Sequence, residues 1–267
     1  MRAAEARATK ARAAEGAEAR ATEARATEAR ATEGAEGTDR NRRRVRVAVI
    51  DSGVHASHPH VGGVAGGVGI DEHGDCHDDF VDRLGHGTAV TAAIVEKAPS
   101  AEIIAIKVFD RELASTSAAL IAACEYALTI NAHIVNMSLG TQNADHELAL
   151  ADVVKRLRNQ GAVVIAAGAQ GGIRWLPGAL AGVWAVTLDW TVPRETCWLD
   201  HVNADGATFS ASGFPRPIPG VPPERNVKGL SFAVANVTGI VARLLAADAA
   251  GDATAVVMRA FKRDPSP

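Results

Sequence analysis

Between Met1 and Val45 the sequence contains no Val, Ile, Leu, Phe, Trp or Tyr, so this stretch has nothing larger than Ala to bury. Without large apolar side chains, burial cannot offset the entropy of ordering the segment, which excludes it from a core. It also lacks the continuous apolar run of a secretory signal. A repeat opening Arg-Ala-Thr-Glu begins at Arg20, Arg25 and Arg30. Five residues advance a helix by about 140°, so the repeat builds no apolar stripe. Ala, Glu and Arg favour helix, while Gly16, Gly34 and Gly37 interrupt it. Residues 1–44 are expected to be a disordered or transiently helical tail, with an arm that grips a partner as the functional alternative.

Cysteine is scarce as well. Cys76, Cys124 and Cys197 are odd in number and have no metal-ligand spacing, which argues against a disulfide framework and for a reducing compartment. No stretch reaches the ~20 apolar residues of a membrane span. A soluble cytoplasmic protein without a membrane partner is the expectation. Residues 1–44 hold eleven Lys or Arg against eight Asp or Glu, a net of +3 within a whole-chain net of −3. The remainder therefore carries −6, a poor surface for phosphates, so no nucleic-acid partner is expected.

What the chain does have is apolar material after Val45, within 267 residues that are 47% hydrophobic. Short apolar runs read as strands at 45–50, 103–108, 134–138, 162–167 and 183–188. Helical patterns lie between and after them, opening at His86, Ser115, Asp145 and Ser231. That alternation predicts an α/β domain over 45–250, a parallel β-sheet flanked by helices on both faces in three layers. Residues 251–267, polar and closing in Asp264-Pro265-Ser266-Pro267, read as a frayed C-terminal tail.

Parallel sheets place their sites at the carboxyl ends of the strands. Asp51 follows the first strand as Asp51-Ser52-Gly53, His86 stands between glycines in Gly85-His86-Gly87-Thr88, and Ser231 opens the last long helix in Gly229-Leu230-Ser231-Phe232-Ala233. Taken singly, each has a plain structural use: a turn former, a loop residue, a helix N-cap. Together they stand in the order Asp, His, Ser, which suits a nucleophilic serine activated by a base that a carboxylate orients. An α/β-hydrolase esterase is disfavoured, since that group places its Ser before its acid and His.

These three segments resemble the motifs of the subtilisin-like serine peptidases, the subtilases, in the same chain order. The resemblance runs from about Val45 to about Leu245. It implies peptide-bond hydrolysis with Ser231 as nucleophile, His86 as general base and acid, and Asp51 as orienting carboxylate. It also implies a peptide or protein substrate and, since residues 1–44 are too short and coreless for a folded pro-region, the intracellular kind of subtilase. Ser138-Leu139-Gly140 resembles the family's substrate-pairing edge, and Ala166-Ala167-Gly168 the opposite wall of the pocket for the residue before the cut. Small residues packed for tight sheet geometry are the alternative reading of that wall.

One departure bears on rate. Where the family has an oxyanion-binding Asn, this chain has Ala169, and the neighbouring Gln170 would point the other way along an extended chain. Loss of one such donor costs about 10²–10³ in rate, a magnitude known from subtilisin rather than from this chain. The resemblance thus implies a slowed or specialised peptidase, with an inactive peptide-binding relative as the alternative. No cofactor is expected. Calcium, bound by many subtilases, is left open by the acidic stretch Asp71–Asp79, which otherwise reads as a solvated loop without recognisable ligand spacing.

Overall fold

A computed structural model describes residues 44–169, 171–203, 205–248 and 252–261. Residues 1–43, Gln170, Ala204, 249–251 and 262–267 therefore lie outside the described residues. Strands β1 (Arg46–Asp51), β2 (Gly66–Ile70), β3 (Cys76–His77), β4 (Glu102–Lys107), β5 (Ile134–Met137), β6 (Val163–Ala167), β7 (Val183–Leu188), β8 (Cys197–Asn203) and β9 (Gly206–Ala211) form one sheet. Its order is β3-β2-β4-β1-β5-β6-β7-β9-β8. Every pairing from β2 through β9 along that order is parallel, and only the edge strands β3 and β8 run antiparallel to their neighbours.

Helices α1 (His86–Lys97), α2 (Ser117–Thr129), α3 (Glu147–Asn159), α4 (Leu230–Ala247) and α5 (Ala253–Phe261), with short 3-10 helices at Ala144–His146 and Pro223–Arg225, complete the described elements. Alternation along each strand divides the apolar residues into two cores. Val45, Val47 and Val49 face α1 and α4, whereas Ala48 and Ile50 face α2 and α3. The sheet is therefore covered on both faces, which is why its central strands are apolar over most of their length. Helix α4 is 18 residues long and apolar enough by composition to cross a membrane, yet it is the core helix of one face, with Val234, Val237 and Val241 fully buried.

Each strand and helix expected from the apolar runs is present within two residues of its expected ends. Helix α2 starts later than Ser115 because Thr116 caps it, its Oγ1 accepting the Ala119 N–H at 3.1 Å. One expectation is corrected. The segment after Leu245 is not wholly frayed, since α5 buries Val256 and Val257 and sets Phe261 edge-on to Phe209, with ring centroids 6.0 Å apart. Its apolar residues cover the β8–β9 end of the sheet, a partner that the local sequence does not reveal.

Candidate active site

Asp51 ends β1 beside His86, the first residue of α1. Two glycines make that approach feasible. Gly53 has φ 92° and a Cβ there would run into the Phe80 carbonyl oxygen; a Cβ on Gly87 would run into the Gly53 carbonyl and lie 3.2 Å from Asp51 Oδ1. The His86 Nδ1 then reaches Asp51 Oδ1 at 2.7 Å, and the same oxygen accepts the Ser52 N–H at 2.7 Å. Asp51 is fully buried, and its Oδ2 has no hydrogen-bond partner. Engagement of Nδ1 leaves Nε2 as the ring nitrogen free for other work. Burial opposes the imidazolium, but the hydrogen bond and charge of Asp51, with the charge of Asp82, outweigh it and hold the His86 pKa above the ordinary imidazole value.

Ser231 lies in the first turn of α4, whose N-cap is Gly229. Its Oγ donates to the Ser138 carbonyl at 3.1 Å, and the Ser138 Oγ donates back to the Ser231 carbonyl at 3.0 Å. Ser138 also donates to Asn136 Oδ1 at 3.1 Å, and Asn136 Nδ2 to Thr238 Oγ1 at 2.8 Å. This buried chain stitches the end of β5 to α4. In this rotamer the Ser231 hydroxyl makes no hydrogen bond to the His86 ring, although both residues line one cavity of about 420 Å³. Ser138, Leu139 and Gly140 line the same cavity, and Phe232 stacks at a tilt on His86 with centroids 5.9 Å apart.

Ala167 ends β6 and Gly168 follows it, donating its N–H to the Val186 carbonyl at 2.8 Å. Ala169 presents no side-chain donor, and Gln170, the neighbouring amide considered from the sequence, lies outside the described residues. Sequence reading missed two contributors. Trp175 lines the cavity with its side chain against Gly140, where a Cβ would lie 3.4 Å from both Trp175 Cβ and Cε3. Asp82, four residues before His86, is buried behind the histidine loop. The spacing Asp82-x-x-Gly85-His86 was a readable signal, an acidic residue just ahead of a helix start.

In the acidic stretch Asp71–Asp79 two carboxylates are already engaged. Asp71 Oδ1 is turned into its own loop, accepting the His73 and Asp75 N–H groups at 2.9 Å each, and Asp79 pairs with Arg83 at 2.8 Å. Among the described residues no three His, Cys, Asp or Glu side chains converge as a metal would require.

The model of the subtilase family matches residues 42–189, a range that includes Asp51, His86 and Ser138 and ends before Ser231. The thermostable alkaline protease of Halalkalibacterium halodurans is 36% identical over 152 residues, which are 53% of this chain and 40% of that protein. Subtilisin E of Bacillus subtilis is 35% identical over 132 residues, 46% of this chain and 33% of that protein. The matched stretch thus spans well under half of either relative. A cold adapted subtilisin-like serine proteinase shares the fold, with TM-score 0.62 and 20% identity over 82% of this chain and 81% of that one. The S41 psychrophilic protease does so with TM-score 0.59 and 20% identity over 82% of both chains. With its parallel sheet, its Asp-Ser-Gly and Gly-His-Gly-Thr segments meeting at one edge, and this match over more than half its length, the chain belongs to the subtilase family.

Proposed function

We propose that the protein is a serine endopeptidase acting through Asp51, His86 and Ser231, slowed by Ala169. The observation that carries this reading is the 2.7 Å contact between His86 Nδ1 and a fully buried Asp51, at the mouth of a cavity that Ser231 also lines. A peptide laid along Ser138–Gly140 by strand addition would present its carbonyl to Ser231. The hydroxyl turns from the Ser138 carbonyl to His86 Nε2, which takes its proton as Oγ attacks. Such catalytic hydrogen bonds are commonly loose until substrate is bound. The imidazolium is stabilised by Asp51 and returns the proton to the departing amine. Water then releases the acyl group from Ser231 by the same route in reverse. The backbone N–H of Ser231, in the first turn of α4, remains to meet the oxyanion.

A peptide-binding relative without useful turnover is the second reading. It is favoured by Ala169 and by a Ser231 hydroxyl engaged with a carbonyl rather than an imidazole. Incubation with an unfolded protein, read by mass spectrometry, separates the two. The wild type should yield discrete fragments that Ser231→Ala and His86→Ala do not; fragments that persist in a purified Ser231→Ala protein would refute the triad.

A further inference from the structure

The carboxylate of Asp82 is 9% exposed and accepts five hydrogen bonds. Oδ1 receives Ser52 Oγ at 2.8 Å, the Leu84 N–H at 2.9 Å and the Gly85 N–H at 2.8 Å. Oδ2 receives the Thr88 N–H at 2.8 Å and Thr88 Oγ1 at 2.6 Å. Ser52 Oγ in turn accepts the Gly87 N–H at 2.9 Å, and Thr88 Oγ1 accepts the His55 N–H at 3.0 Å. The backbone on both sides of His86 is therefore clamped: Gly85 and Thr88 by Asp82, Gly87 by a serine that Asp82 holds. That serine is the residue after Asp51. One buried carboxylate fastens the loop carrying the imidazole to the strand end carrying its partner.

We propose that Asp82 is a positioning residue for His86, fixing the imidazole against Asp51 through Ser52 and Thr88 and placing a second negative charge behind it. The proposal rests on the reading of His86 as the base and adds a residue that the triad does not include. The five donors hold the Asp82 carboxyl below the usual carboxylate range despite burial, the largest influence, which opposes ionisation. The remaining residues lining the cavity with His86 carry no charge, so Asp51 and Asp82 are the charged groups that act on it. On its far side Asp82 shares a separate cavity with His55, His58, His60 and Arg216.

Two readouts on the full-length chain test this: the midpoint of the His86 ring signals in an NMR titration, and the pH profile of fluorophosphonate labelling. Asp82→Asn should lower the His86 midpoint, and the acid limb of labelling should follow by the same amount, because removing a neighbouring anion favours the neutral ring. Ser52→Ala keeps both charges and should leave the midpoint in place while slowing labelling about tenfold, since only the clamp is lost. A merely structural role would slow labelling in both variants without moving the midpoint in either. Asp82→Asn with an unchanged midpoint overturns the proposal, as does Ser52→Ala labelling at the wild-type rate should Asp82→Asn fail to fold. A wild type that takes no label refutes the peptidase reading instead, and the NMR midpoints still decide whether Asp82 acts on His86.

Discussion

Among single residues, Ala169 sets the expected rate. On the proposed reading Ala169 stands where an oxyanion-donating amide would be, and its side chain offers no donor. Ala169→Asn should raise kcat on a good peptide substrate by about 10–10³ with little change in KM, because the bond forms only in the transition state. Steady-state kinetics of the two proteins checks this, and equal kcat values would mean that another group already fills the role. The residues of the candidate site were legible to different degrees. Asp51 and His86 sit in segments whose glycines Gly53 and Gly87 are required by close approach, and Gly229 before Ser231 has φ 151°, so spacing marked the three segments. Trp175 acts through a contact made across the fold, to Gly140, which leaves little local trace, whereas Asp82 stands just ahead of the His86 helix and only its tie to Ser52 is distant in sequence.

At the level of elements, the segment from Ile173 to Gly178 borders the cavity through Trp175. Thr141 and Leu176 exchange both backbone hydrogen bonds at 2.8 Å, and a Cβ on Gly178 would run into the Ala167 carbonyl. The segment thus spans from the Gly140 side to the end of β6, with the Trp175 indole on the cleft side. Trp175→Ala should shift cleavage toward large side chains before the cut, raising their kcat/KM by about tenfold or more relative to Ala-containing peptides. A peptide library profile that is identical for both proteins would contradict this. The buried strands and helices were readable because each carries a continuous apolar run or a stripe of helical period. Strands β2 and β8 were not, because β2 is Gly-rich and β8 is an edge strand with charged and exposed residues. Helix α5 escaped because its nine residues gain stability only from the sheet end that they cover.

Across the whole molecule, the two chemistry-bearing helices α1 and α4 pack together with Lys97 at their junction. Lys97 is 7% exposed and its Nζ has no hydrogen-bond partner, only Glu96 at 3.6 Å. Burial pulls its pKa from 10.5 down to about 8. The unfolded chain therefore binds more protons between those values, so stability should rise as pH increases from about 8 to 10.5. Lys97→Met should stabilise the fold at pH 7 by on the order of 1–3 kcal/mol. The advantage should shrink toward pH 10.5 in denaturant melts, and a variant less stable than wild type at pH 7 would show that the ammonium is well accommodated.

The proposed function rests on one claim, that Ser231 is an activated nucleophile. The most direct measurement is covalent labelling of the intact protein by a fluorophosphonate at neutral pH, with Ser231→Ala as control. The account predicts one label per chain, located on Ser231 by peptide mapping and absent from the variant. A folded wild type that remains unlabelled would contradict it, leaving a subtilase fold with a cleft that binds peptides without cutting them.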